Sequence, residues 1–321
     1  MVPGIDPKVD IVFKRLFGTE ANADLLIDLL NAVLAFPPEH AVTAVEILNP
    51  FNEQEALDDK LSILDVKARD AAGRQFNVEM QVAPYDDYPA RIVYYLTRMH
   101  QQQLHEGQPY FALVASYSIS FLAHVLFRNS MRWHWQFQLR DVKEPAVVFV
   151  DQLAVHVIEL PKFKRSATRL ATGCDRWSYF LRHGARLDTD RLPKRLRTPA
   201  IQKAMEVLRM LTQDELAREK YESRLKYQRD EMARTEYAAK LLRNAIEEAR
   251  HATEQAEKRG EKREKRGEKR GEKRGVLIGR VQSYEEVLKL KPTSEATLRE
   301  MSLEQLQELV TRLKEQVAGR S

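Results

Sequence analysis

The sequence predicts an α/β protein built on a helix–strand–strand–strand–helix–strand core, and three observations carry that prediction. Residues 61–82 alternate with the two-residue period of strands on both sides of an Asp70-Ala71-Ala72-Gly73 turn. Residues 7–18 and 88–105 instead repeat apolar side chains at helical spacing. Residues 110–119 form a largely apolar run of the kind found in buried strands.

Taken in order, Val9, Phe13, Leu16 and Phe17 give the first helix its apolar stripe, with Asp10 and Lys14 one turn apart on another face. Leu25, Leu26, Leu29, Leu30, Val33 and Leu34 predict an extra helix over 22–35, stopped by Pro37-Pro38. Residues 42–48 read as a strand ended by Asn49-Pro50, and a polar loop runs to Lys60. In the hairpin, Ile63, Asp65 and Lys67 alternate with Leu64, Val66 and Ala68. Phe76, Val78 and Met80 alternate with Asn77, Glu79 and Gln81. The turn suits a type I geometry followed by a left-handed glycine. Asp70 then pairs with Arg74, which sets Asp65 opposite Glu79 and Lys67 opposite Asn77. Tyr88-Pro89 opens a helix to about His105, with Ile92, Tyr95, Leu96 and Met99 inward and Gly107 as its cap. Further strands are predicted at 133–139 and 153–160. A packing helix is predicted at 166–187, with Trp177 in the core.

Four regions follow from composition: a folded domain over 1–190, a charged helical region over 191–256, a low-complexity linker over 257–275 and a helical hairpin over 276–321. The linker repeats Glu-Lys-Arg-Gly, with one glycine missing after Arg263. Each glycine costs a helix about 1 kcal/mol, so a solvated spacer is expected, with a non-specific phosphate-binding tether as the sharper alternative. In the last region Ser302 and Gln305 suit a capping box, and Leu303, Leu306, Val310, Leu313 and Val317 form a stripe that docks on itself or on a second subunit.

Composition excludes several classes. The single cysteine, Cys174, leaves no internal disulfide or cysteine zinc site and suits a reducing, cytoplasmic compartment. The N-terminus lacks a basic-then-apolar signal pattern, and no apolar run is long enough to span a membrane. The net charge of +5 comes wholly from 257–275, where ten Lys and Arg face five Glu; the rest of the chain is formally neutral. No small-molecule cofactor is expected.

The chemistry concentrates in the hairpin. Carboxylates opposed on neighbouring strands repel unless something cationic lies between them. A hard divalent cation such as Mg²⁺ meets that need through oxygen ligands and waters. Gln81 lies two residues beyond Glu79, within reach of the same substrate or of a metal-bound water. An ordinary amphipathic hairpin with a solvated polar face gives the same pattern.

The ordered set of motifs resembles the PD-(D/E)XK nuclease superfamily, and within it the Rpn family of recombination-promoting nucleases and transposases. The likeness rests on residues 10–18, Leu29-Leu30-Asn31-Ala32-Val33-Leu34, Lys60-Leu-Ser-Ile-Leu-Asp65, Gly73 and Asn77-Val-Glu79-Met80-Gln81. It continues through Arg91, Tyr94-Tyr95, residues 103–110 and Ile158-Glu159-Leu160-Pro161-Lys162-Phe163. It implies an αβββαβ core with a mixed sheet and Mg²⁺- or Mn²⁺-dependent cleavage of DNA. Asp65 and Glu79 would hold the metal, with the Met80 carbonyl as a further ligand. Gln81 stands where the superfamily usually has lysine; glutamine orients a water but supplies no positive charge.

Auxiliary roles stay open. Lys67 is either the missing cation or an exposed strand lysine. Asp10 is either an outer carboxylate of the site or a structural partner of Lys14. Arg91 and Tyr95, one helical turn apart, either contact phosphate or pack the sheet. Two functions compete: a metal-dependent DNA endonuclease, and a nuclease-fold DNA-binding or assembly protein with weak or no catalysis, dimerising through its C-terminal helices.

Overall fold

The computed structural model describes residues 1–49, 65–85 and 87–318. Ile63, Leu64 and the polar loop before them lie outside the described residues. The chain divides into two compact units, Met1–Ala238 and Ala239–Ser321.

In the first unit α1 (Asp10–Phe17) and α2 (Ala23–Leu34) are followed by β1 (Val45–Ile47), β2 (Asp65–Asp70) and β3 (Gln75–Gln81). Then come α3 (Tyr88–Gln101), β4 (Ser116–Leu122), β5 (His134–Arg140) and β6 (Val148–Glu159). The strands form one mixed sheet in the order β1-β2-β3-β4-β6-β5. β1, β2 and β3 pair antiparallel, β3–β4 and β4–β6 pair parallel, and β5 returns antiparallel to β6. The helix–strand–strand–strand–helix–strand order and the extra helix therefore stand as predicted.

The predicted turn forms. The Asp70 N–H donates to the Arg74 carbonyl at 3.0 Å, and Gly73 takes the left-handed conformation at φ 80°. The Asp70 carboxylate accepts the Ala72 and Arg74 N–H groups at 3.0 and 2.9 Å, and Arg74 pairs with it at 2.6 Å. Turn chemistry thereby fixes the register.

One sheet face is apolar. Val66, Ala68, Phe76, Val78, Met80, Ile119, Phe121 and Ile158 pack into a core with the inward faces of α1 and α2. α4 (Gly173–His183) and α5 (Pro199–Gln213) complete that core, together with Tyr221 from the start of α6 (Glu215–Val287). Trp177 is buried there, as predicted, and its indole N–H donates to Asp28 at 2.7 Å. Ile201, Met205, Leu208 and Leu211 join the same core, so part of the stretch read as a separate charged region packs with the first unit.

Several boundaries differ from the sequence reading, each for a local reason. The run over 110–119 is not one strand. Tyr110–Ala112 make a 3₁₀ turn with Tyr110 and Phe111 exposed, and β4 begins at Ser116, where Gln75 first offers a ladder partner. The strand read over 42–48 shrinks to β1 because the Asn31 amide takes both the N–H and the carbonyl of Val42, at 2.8 Å each. α3 stops at Gln101, and Gly107, at φ 83°, serves a later turn rather than the helix cap. The helix read over 166–187 begins only at Gly173, where Thr172 and Asp175 form a capping box. Gly173 also lets α4 approach α2: a Cβ there would lie 2.7 Å from the Ala32 Cβ.

The second unit includes the rest of α6, then α7 (Glu295–Glu300) and α8 (Leu303–Ala318). The Glu-Lys-Arg-Gly tract, expected as a spacer, runs helically within α6. Its backbone donors and acceptors pair within that helix, which continues into a packed segment. Leu277, Val281, Leu288 and Leu298 close a small core with Leu306, Val310 and Leu313 of the stripe anticipated for the C-terminus, and Leu303 and Val317 pack against it. The Ser302–Gln305 capping box is present, with bonds of 3.1 and 2.7 Å. No helix among the described residues is long and apolar enough to cross a membrane.

Candidate active site

The second sheet face carries the polar residues. Asp65 holds the ladder position opposite Glu79, and Lys67 stands opposite Asn77, in the register the turn dictates. On the other side of β3, Asn77, Glu79 and Gln81 pair in register with Ser118, Ser120 and Leu122 of β4. A row of buried serines, Ser116, Ser118 and Ser120, thus runs beside the acidic position. The sequence carries the signal, since Ser116, Ser118 and Ser120 alternate with Tyr117, Ile119 and Phe121, but the apolar half of that period dominates the reading.

Glu79 is half-buried beneath the start of α3. Tyr88, which opens that helix, is fully buried against Ile92, Leu122 and Val157. Its hydroxyl lies within reach of Ser120 and Glu79, and the Asn77 side-chain oxygen is buried with no partner among the described residues. Burial, and next the Glu79 charge, push the Tyr88 phenol well above its usual pKa. Ser120 is the ladder partner of Glu79 on β4, and the Tyr88 phenol interacts with both, so hydroxyl groups gather beside this carboxylate.

Gln81 is buried, and its amide nitrogen donates to the Ala83 carbonyl at 2.7 Å. That bond fixes the amide orientation, because only the nitrogen can donate; the acceptor oxygen is the end left for a water. The Met80 side chain is in the apolar core, so only its backbone can serve the site.

The auxiliary candidates separate. Lys67 is half-buried, with its backbone N–H held by the Asn49 side-chain oxygen at 2.6 Å. Asp10 is buried, and its charged partner is Arg224 of α6 at 3.8 Å; its other carboxylate oxygen is buried without a bond. Arg91 stacks over the Tyr85 ring at 5.5 Å, while the Tyr85 hydroxyl donates to Glu231 of α6 at 3.1 Å. Tyr95 is exposed and meets Tyr94 edge-on, so the inward face of α3 is Ile92, Leu96 and Met99 without it.

A divalent cation fits the donor chemistry here: two acidic residues at opposed ladder positions, a backbone carbonyl between Glu79 and Gln81, and the Ser120 and Tyr88 hydroxyls beside Glu79. Among the described residues no group of three or more His, Cys, Asp or Glu converges as a metal cage. Two carboxylates are enough for a hard cation that takes its remaining ligands from water.

A family model described as PD-(D/E)XK nuclease family transposase matches residues 7–238. The chain belongs to this family. No curated protein and no solved structure matches it. The mixed α/β sheet described above is the fold of the PD-(D/E)XK chain, and the matched span ends where the first compact unit ends.

One buried carboxylate of the PD-(D/E)XK domain has a structural task. Glu159, at the end of β6, accepts the Leu126 and Phe127 N–H groups at 2.6 and 3.0 Å, the Trp135 indole at 2.8 Å and Lys162 at 2.7 Å. Burial raises its pKa, but the Lys162, Phe127, Trp135 and Leu126 bonds outweigh burial and hold it below the usual value. On the opposite face His156 bonds His134 at 3.0 Å, and Cys174 lies 3.9 Å beyond. Burial lowers His156 to about 3 and His134 to about 4, and raises the Cys174 thiol to about 12, so this trio is neutral packing.

Proposed function

We propose that the chain is a divalent-metal-dependent DNA endonuclease of the Rpn type, acting in the cytoplasm in recombination or mobile-element movement. The observation that supports it is the ladder position of Asp65 opposite Glu79, with Gln81 two residues on. Asp65 and Glu79 would hold Mg²⁺ or Mn²⁺ with the Met80 carbonyl. When bound, such an ion supplies Lewis-acid activation of the scissile phosphate and a water acidic enough to attack near neutral pH. Gln81 orients that water through its acceptor oxygen, while its nitrogen stays on Ala83. Lys67 supplies positive charge on the same hairpin in place of the usual lysine. Tyr88, packed over Glu79, shields the carboxylate from bulk water.

Supercoiled-plasmid nicking with Mg²⁺ or Mn²⁺ tests the reading. Wild type should nick, and folded Asp65→Ala and Glu79→Ala should not. Nicking by the variants at the wild-type rate would mean the site is elsewhere. A wild type that shifts DNA on a gel but never cuts would favour the second reading, a nuclease-fold binding protein. That reading draws on Gln81, which brings no charge to the water.

A further inference from the structure

The Glu-Lys-Arg-Gly tract plays no part in the site above, yet its helical placement gives it a pattern. Residues 257–273 are exposed throughout, within α6. Neighbouring residues of an α-helix are about 100° apart, so a strict four-residue repeat would drift about 40° around the helix with every unit. Over the tract such drift would carry the glutamates into the sector where the lysines began. The glycine missing after Arg263 prevents this, because a single three-residue unit turns the pattern back by about 60°. The five glutamates therefore stay within roughly 80° of arc, the five lysines within roughly the next 80°, and the five arginines within roughly the next. Glycines fill the remainder. One half of the helix surface is Lys and Arg; the other half is Glu and Gly.

This sorting is unfavourable for an isolated helix. Like charges fall four residues apart, and each glycine costs about 1 kcal/mol. An arrangement that weakens the helix by itself suits a partner of strong opposite charge. The tract also supplies the whole net charge of the chain, since the remaining residues balance.

We propose that the Lys/Arg half of this helix binds the phosphate backbone of duplex DNA without sequence preference. The tract is about 28 Å long at 1.5 Å per residue, and duplex DNA carries about one negative charge per 1.7 Å of axis. A second copy of the helix fits less well: ten cations would meet only five glutamates, leaving the pair strongly positive. Arg274, at the end of the tract, already donates to the Arg299 and Met301 carbonyls at 3.0 Å each. The other nine cations form the binding face. Only the identity of DNA as substrate is shared with the reading of the site; Asp65 and Glu79 need not be catalytic.

The test is fluorescence anisotropy of the full chain on a random duplex of about 30 base pairs, in EDTA, across a salt series. One variant exchanges neighbours: Glu261→Lys with Lys262→Glu, Glu264→Lys with Lys265→Glu, and Glu268→Lys with Lys269→Glu. Composition and net charge are unchanged, and the basic face is broken. Affinity should fall on the order of 10-fold, and the slope of log K against log salt should become shallower by about 0.9 for each phosphate no longer neutralised. A second variant, with all five lysines changed to Gln, should show the same loss and guards against helix unfolding in the first. Unchanged affinity and slope in both variants would overturn the proposal. So would a swap that alters only self-association in sedimentation. Tract-dependent binding by a protein that never nicks plasmid would count against the endonuclease reading and leave the DNA-binding role of the tract standing.

Discussion

Asp65 and Glu79 occupy opposite positions of the β2–β3 ladder, two acidic residues set against each other by the turn at Asp70–Gly73. Opposed like charges destabilise a strand pair. Glu79→Gln should therefore leave thermal stability in EDTA unchanged or raise it, while abolishing the stabilisation that added Mn²⁺ gives wild type. A large drop in melting temperature without metal would mean that Glu79 is a structural residue.

Gln81 offers a cleaner separation of roles. Its nitrogen is committed to Ala83, which leaves the oxygen to accept from a water. Gln81→Ala should lower kcat by about 10²-fold, the scale of a lost general acid–base or water-orienting group, with Mn²⁺ affinity little changed. Equal loss of metal binding and turnover in the alanine variant would make Gln81 a ligand instead.

Glu159 and Lys162 form a buried pair, and removing one partner strands the other. Glu159→Gln should cost about 3–5 kcal/mol in urea unfolding, the range for breaking a buried pair. The depressed pKa of Glu159 has a sign: its contribution is present above the unfolded value and is lost as pH falls through the folded one. A variant as stable as wild type would deny the pair its structural role.

His134 and His156 act at higher pH. Their pKa values, about 4 and about 3, lie below the unfolded value of 6.5. The unfolded chain binds these protons first, so stability is full above about pH 6.5 and falls as pH drops toward 3. The slope approaches about 1.4 kcal/mol per pH unit for each histidine. Urea midpoints measured between pH 7 and 4 should track this, and His156→Phe should flatten the curve. An unaltered curve would place the acid sensitivity elsewhere.

The close approach of α4 to α2 yields a cycle of variants. Gly173→Ala should destabilise by about 1–3 kcal/mol, because its Cβ would overlap that of Ala32. Ala32→Gly should restore much of the loss in the double variant, despite the helix cost of glycine. Additive losses would show that the overlap is relieved by a backbone shift.

What the sequence discloses depends on how local the cause is. The Asp65–Glu79 register is legible because four turn residues determine it. The Ser302–Gln305 cap is legible for the same reason. The run over 110–119 misleads because the start of its strand depends on Gln75, a pairing partner across a parallel crossover. Asp10 meets Arg224, and no local pattern announces a meeting of the first helix with α6. The Tyr88 and Ser120 hydroxyls meet beside Glu79 only once β3, β4 and α3 are stacked. Counting the glycines of 257–275 singly underestimates helix there, because the long helix that contains them carries their cost.

The missing glycine after Arg263 also bears on inheritance. Short tandem repeats gain and lose units when a template slips during copying, and in a solvated spacer such length changes are silent. Here each whole unit added or removed would rotate everything beyond it by about 40°, and two would exchange one charge sector for another. The tract should consequently tolerate added four-residue units only together with further three-residue ones, each of which turns the pattern back by about 60°. Its copy number is constrained by rotation rather than by reach, like the spacing of teeth on a gear.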